Sequence, residues 1–455
     1  MIRRLAAGIG MTVFDKLVIA GTQLALVPIL ASHWGLALYG QWLLLATVPQ
    51  FLSMSDFGFA TAAGTRMTMA VARGERDEAV RVFQSAWRAI LVSSAGMIGL
   101  ALALAWLAPD ALFGAGGAAA IADLRLTLAI LALYGVVAVQ GSIVFAGFRA
   151  AQLFPVGAFW NAMVLLIENA ALVMTVLLGG GTIAAALAWL TGRVLGLVVQ
   201  NLLLRRRVPW LTIGLAQGNW REARSLMAPA GAVMLLPIAQ AVVLQGMALL
   251  VGAVAGRTAV PAFAATRTLS RVGMQLCWIV STPLMPEFSA ALARDDARRM
   301  TAMIAGTLLF SGVCVVPFAL VFMAWGQAGI AAWTHGAILP PQALVTALAL
   351  AMLCSGIWYP LSNLILAANA QAGYTIWYVG LAATAVVAAF GLVGRYGATG
   401  AAGAMAALDL AMLIVVARLT SRMFAHRLSV PDGLSALREY AGRTPWTWQR
   451  RPLGR

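Results

Sequence analysis

Charge is scarce in this chain. Of its 455 residues, 10% are Asp, Glu, Lys or Arg and 62% are apolar. Mean hydropathy is +0.88. A soluble domain carries roughly 25% charge, so a water-exposed globule is excluded and the surrounding solvent must be lipid. The alternating apolar and polar strands of a membrane barrel are also missing, which leaves helices to satisfy the backbone. Lysine is almost absent: Lys16 stands alone against 30 Arg. The three cysteines, Cys277, Cys314 and Cys354, are isolated in apolar segments. Their spacing supports neither a metal cluster nor a disulfide framework. The three histidines, His33, His335 and His426, form no Ser/His/Asp set and no metal-ligand pattern. No phosphate-binding glycine loop occurs, which argues against a built-in ATP motor. Neither an enzyme nor a cofactor is expected.

What the chain has is long apolar runs. Twelve predicted spans fall at about 9–31, 37–59, 87–107, 124–147, 155–178, 182–204, 227–251, 258–288, 302–325, 342–368, 374–394 and 398–420. Arg3 and Arg4 precede an apolar stretch that Asp15 and Lys16 interrupt, so it reads as the first span and not as a cleavable leader. The net charge of +16 follows from cations flanking the spans. Twenty-four of them fall on one face, at the two ends of the chain and in the even-numbered connections. Only Arg125, Arg257 and Arg395 fall on the other. The positive-inside rule therefore predicts a multi-pass protein of the cytoplasmic membrane with both termini in the cytoplasm. The outer connections are too short for an extracytoplasmic catalytic domain. The basic tail, 425–455, holds Trp446 and Trp448 and is either laid on the headgroups or solvated.

The chain repeats itself weakly at an offset of 221 residues: Ala70–Arg73 matches Ala291–Arg294, and Gly10 meets Gly231. The turn at Gly180–Ala184 resembles Gly397–Ala401 at an offset near 217. This predicts an N-terminal lobe, 1–210, and a C-terminal lobe, 211–424, of six spans each. Duplicated halves are a transporter habit, with the substrate site between them.

Ionisable residues inside spans are expensive and mark functional sites. Arg267, Arg271 and Gln275 follow at i, i+4 and i+8 in the eighth span and share one face. Arg267 lies about 14 Å from the outer end at ~1.5 Å per residue. Two permanent cations on one stripe need an anion, either acidic side chains from other spans or a ligand. Glu168 and Arg193 lie 12 residues before and 13 after Gly180, so antiparallel helices bring them to one depth as an ion pair. Asp15 either carries a coupling proton or pairs with Lys16 or a nearby Arg. Gln50 and Asp56, on roughly one side of the second span, are further cavity candidates. For Asp409 a helix–helix contact is expected.

Several local patterns point to a family. Tyr39, Gly40 and Trp42, then Asp56 and Gly58, then an Arg-bearing loop resemble the opening segment of polysaccharide-repeat (O-antigen) flippases. Gly147–Ala150 and Gly397–Ala402 are similar to that family as well. The family lies in the multidrug/oligosaccharidyl-lipid/polysaccharide exporter superfamily. The resemblance implies two six-helix lobes forming a V around a central cavity lined by spans one, two, seven and eight, and alternating access. It also implies a lipid-linked oligosaccharide on undecaprenyl diphosphate, flipped from the inner to the outer leaflet, with glycosyltransferases or a polymerase of the same pathway as partners. Paired Arg side chains suit a diphosphate, because guanidinium offers forked donors. Two alternatives compete. One is a cation-coupled drug or metabolite antiporter of the same superfamily. The other is a glycosyl polymerase or ligase, which is expected to need a large outer loop.

Overall fold

A computed structural model describes residues 2–107, 118–274, 288, 296–367 and 371–424. Among these the protein is all α-helical. The elements are α1 (Ile2–Leu45), α2 (Thr47–Leu52), a 3-10 turn (Ser53–Asp56), α3 (Phe59–Ala72), α4 (Arg76–Leu107), α5 (Ala118–Ala150), α6 (Phe154–Leu177), α7 (Thr182–Arg207) and α8 (Trp220–Leu250). A π-turn (Val251–Ala255) follows, then α9 (259–274). The last four are α10 (Ala297–Trp333), α11 (Gln342–Ala367), α12 (Gln371–Tyr396) and α13 (Ala398–Phe424).

Ten helices among the described residues are long and apolar enough to cross a membrane. The first of these, Phe14–Leu52, has 39 residues. At ~1.5 Å per residue that is about 58 Å, nearly twice a hydrocarbon core of ~30 Å. The helix is in fact two crossings. Gly35 has φ 69° and ψ 170°, a conformation open to glycine and not to a helix. Before it the chain runs along α6, from Phe14 stacked on Phe159 to Trp34, whose indole donates to the Gly180 carbonyl at 2.9 Å. After it the chain returns: Trp42 meets Trp189, Leu52 meets Gly135, and Gly64 lies under Arg149. Splitting this segment, and counting the expected span at 258–288 that is described only as far as 274, gives twelve crossings.

The returning segment extends further than expected. The second predicted span stopped at residue 59, with a charged loop beyond it. Instead α3 continues, because Ala63, Met67 and Ala70 recur at helical spacing and are all fully buried. Likewise α10 runs on through Trp333, so the first half of the expected outer connection at Gly326–Pro341 is helical.

The helices pack in two compact units. The first comprises Met1–Ala265 with Ile330–Leu339; the second comprises Thr266–Gly329 with Pro340–Arg455. In the first, Phe59, Met67, Phe83, Phe148, Leu204 and Leu211 form a core at the Arg-rich end of the bundle. Small residues let helices approach closely where lipid offers no hydrophobic drive. Ala79, Ala86, Ala185 and Ala186 are fully buried for this reason. The last turn of α10 docks here through the Trp333 indole, which donates to the Leu24 carbonyl at 2.9 Å. In the second unit α13 lies along α11 and α12, and Met274, Ala319 and Met352 pack with Phe318 and Tyr359.

Candidate functional site

The two arginines of the eighth span lie on α9. Its buried stripe runs through Phe263, Thr266, Ser270 and Gly273. Gly273 is overlaid by Met352 and Phe318, which fixes this stripe against the second unit's core. Arg267 and Arg271 flank the stripe and are half-buried, as are Thr268 and Val272 beyond them. Their spacing sets the Cβ atoms about 6 Å apart on one face. The Ser270 hydroxyl donates to the Arg267 carbonyl at 2.9 Å, a bond within the helix. Gln275, the third member of the expected stripe, lies outside the described residues.

Glu168 and Arg193 meet in the first unit. Arg193 Nε is 2.6 Å from Glu168 Oε1, and an Nη of the same guanidinium donates to Oε2 at 2.8 Å. The Nη contact is a charge-assisted hydrogen bond, and the Nε contact adds a close ion pair beside it. Tyr134 of α5 closes the set: its hydroxyl donates to Glu168 Oε2 at 3.1 Å and accepts from Arg193 at 3.0 Å. The Tyr134 ring lies 5.3 Å from the guanidinium carbon and stacks on Trp189. Trp189 meets Trp42, which meets Trp34, so an aromatic column links the pair to the α6–α7 turn. Gly192 makes room, because a Cβ there would come within 2.9 Å of the Glu168 Cγ. Glu168 is 1% exposed, and ligand access to it is closed.

The remaining candidates do not gather into one site. Lys16 Nζ lies 3.6 Å from Asp15, its sequence neighbour, and both side chains are half-exposed. Gln50 is exposed and its carbonyl accepts the Ser53 hydroxyl at 2.7 Å. Asp56 is buried instead, on a left-handed turn formed by Phe57 and Gly58. Its Oδ1 accepts the Gly58 amide at 3.1 Å at the entry to α3. A side chain at Gly58 would strike the Ala230 carbonyl of α8. Gly40 plays a similar part: a Cβ would overlap the Arg257 carbonyl, while the Arg257 guanidinium donates to Gln41 at 3.0 Å. The Tyr-Gly-x-Trp and Asp-x-Gly patterns are thus packing and turn devices here.

Asp409 makes the helix–helix contact expected of it: the Trp358 indole donates to its Oδ1 at 3.0 Å, between α11 and α13. Two arrangements escaped the sequence. Tyr134 carries no local signal of its role. At the Arg-rich end Arg66 bridges Glu78 of α4, at 3.2 Å, and Glu222 of α8, at 2.5 Å. Beside it Gln84 holds the segment before α8, donating to the Thr212 carbonyl and accepting the Gln217 amide. A run of cations beside Glu75, Glu78 and Glu222 was the only hint of this network.

Comparison with known proteins places the chain. A family model described as polysaccharide biosynthesis protein matches residues 39–332. No curated protein matches the chain. Among solved structures, an inward-facing multidrug resistance MATE family transporter of the MOP superfamily is similar, with TM-score 0.71 and 13% identity over 90% of this chain and 98% of that one. The lipid II flippase MurJ, in an inward closed conformation, gives TM-score 0.71 and 13% identity over 97% of this chain and 91% of that one. The Vibrio cholerae MATE transporter VcmN gives TM-score 0.62 and 14% identity over 93% and 97%. At such identity the structural likeness establishes the fold, and the family model covers more than half of the sequence. The chain is a multi-pass membrane protein that belongs to the polysaccharide biosynthesis protein family and has the fold of the MOP exporter superfamily.

Proposed function

We propose that the protein is a flippase for a lipid-linked oligosaccharide and that Arg267 and Arg271 hold the diphosphate of its carrier lipid. The observation that carries this reading is the pair of half-buried guanidinium groups, one turn apart, on α9. Family membership supports a polysaccharide pathway, and the likeness to a lipid II flippase supports a lipid-linked cargo. A sugar diphosphate is too polar to cross hydrocarbon unaided. Forked donors that replace its hydration are what transit requires.

In this reading the lobes are 1–210 and 211–424, and they expose a central cavity alternately to the two sides of the cytoplasmic membrane. The termini and the tail at 425–455 lie in the cytoplasm. Asp15, Lys16, Gln50 and Asp56 belong to the first lobe, and Glu168–Arg193 is its structural ion pair. The cargo is undecaprenyl-diphosphate-linked, and enzymes of the same pathway supply and consume it. No catalysis is proposed. The equal likeness to a multidrug transporter favours a second reading, a cation-coupled antiporter. Arginines at the site disfavour cationic drugs.

The test is made in cells that depend on the protein for polysaccharide export. Arg267→Ala and Arg271→Ala should each insert normally yet leave the lipid-linked sugar on the inner leaflet. Arg267→Lys, which keeps charge and loses the fork, should retain partial export. Normal export by both alanine variants would refute the assignment.

A further inference from the structure

We propose that Asp409 is a proton-binding site, a carboxyl that gains and loses a proton during the transport cycle. The inference rests on the transporter reading above, because it names the ion that drives it. Asp409 lies 11 residues into α13 (Ala398–Phe424), near the middle of that helix. It is half-buried, and its one hydrogen bond among the described residues is the 3.0 Å bond from the Trp358 indole to Oδ1. Trp358 of α11 faces it, and Cys354, one turn before Trp358, and Tyr378 of α12 lie close enough to feel its charge. The Tyr378 ring stands 6.1 Å from that of Trp358. Cys354 and Tyr378 are the titratable neighbours, and no cation pairs with Asp409 among the described residues.

A carboxylate held inside a span with one neutral donor is a costly charge. Two things can remove that cost, a metal cation or a proton. A hard cation needs about six oxygen ligands. The surroundings here are an indole, a thiol and a phenol, and no metal-holding group of acidic, His or Cys residues occurs among the described residues. A proton needs only the second oxygen. Uptake forms one O–H bond on Oδ2, with the proton taken from water, and release returns it. The other carboxylates considered for membrane roles have different answers. Glu168 is matched by Arg193 at 2.6 Å, Asp15 has Lys16 at 3.6 Å, and Asp56 accepts the Gly58 amide of its own turn at 3.1 Å. Asp409 has neither a cation nor a backbone amide among the described residues.

The experiment is infrared difference spectroscopy of the full-length protein in lipid, titrated from acid to alkaline pH, with no cargo present. The wild type should show a protonated-carboxyl carbonyl band that Asp409→Asn abolishes and Asp409→Glu moves. Trp358→Phe removes the donor that favours the anion, so the midpoint should rise by about one pH unit, a roughly tenfold change in proton affinity. Asn still accepts from the indole, so the variant should fold; if it does not, the Trp358→Phe shift decides. A band unchanged in Asp409→Asn overturns the proposal, as does a midpoint unmoved in Trp358→Phe. A midpoint that moves with sodium concentration reassigns the site to a metal cation and also overturns it. Because no cargo is used, these outcomes do not depend on whether the flippase reading holds.

Discussion

Two ionisable sites at matching places in the two halves of the sequence are treated in opposite ways. In the first half, α5 supplies Tyr134 and α7 supplies Arg193, and both grip Glu168 of α6. In the second, Trp358 of α11 follows Tyr134 at an offset of 224, and Asp409 of α13 follows Arg193 at 216. These offsets bracket the repeat spacing seen elsewhere in the chain. An aromatic donor is kept at the first position, but the second has changed sign, from Arg to Asp. The first set is therefore a sealed, mutually neutralised pair. The second is an acid with a single neutral donor. On the proposals that the halves are duplicates and that Asp409 takes a proton, one copy of the position holds helices together and the other is free for ion binding.

The largest effect should come from breaking the sealed pair. Glu168→Gln leaves Arg193 buried without its counter-charge, which costs about 3–5 kcal/mol. The yield and thermal midpoint of the purified protein should fall more than transport per folded molecule. Exchanging the two residues, with Glu168→Arg and Arg193→Glu together, should recover part of the loss. Tyr134→Phe should come next. It removes one hydrogen bond to a charged group, about 1.5–3 kcal/mol, and should lower the thermal midpoint without abolishing insertion. Asp409→Asn sharpens the comparison from the other side. It removes an unmatched charge and keeps an acceptor for Trp358, so stability should hold or rise. A stability loss as large as that of Glu168→Gln would erase the proposed difference between the halves. The smallest effect is expected at Arg66, whose bridges to Glu78 and Glu222 are half-exposed. Arg66→Ala should cost at most ~1 kcal/mol, with the difference shrinking as salt is added.

Much of this architecture could be read from the sequence. Hydropathy located the crossings because lipid demands long apolar helices. The depth of Glu168 and Arg193 followed from their equal distance to Gly180, since antiparallel helices of fixed rise must meet. What could not be read depends on a third element. Tyr134 enters the pair from α5, and nothing near it in sequence announces the contact. Asp56 is a cavity candidate because it shares a side of the second span with Gln50; what the sequence does not disclose is that its neighbours Phe57 and Gly58 take left-handed conformations and bring the Gly58 amide onto its carboxylate. The extent of α3 was legible in principle, since Ala63, Met67 and Ala70 carry the period. The density of cations around them drew attention to a loop instead.

The central claim, that Arg267 and Arg271 receive a diphosphate, is tested most directly by equilibrium binding of a polyprenyl diphosphate sugar to purified protein in lipid nanodiscs. A charge-assisted hydrogen bond is worth about 1.5–3 kcal/mol, so each alanine variant should bind roughly ten- to a hundred-fold more weakly than the wild type. Removing both should abolish measurable binding, while a neutral polyprenol sugar should bind wild type and variants alike. Equal diphosphate affinity across the wild type, Arg267→Ala, Arg271→Ala and the double variant would contradict the account.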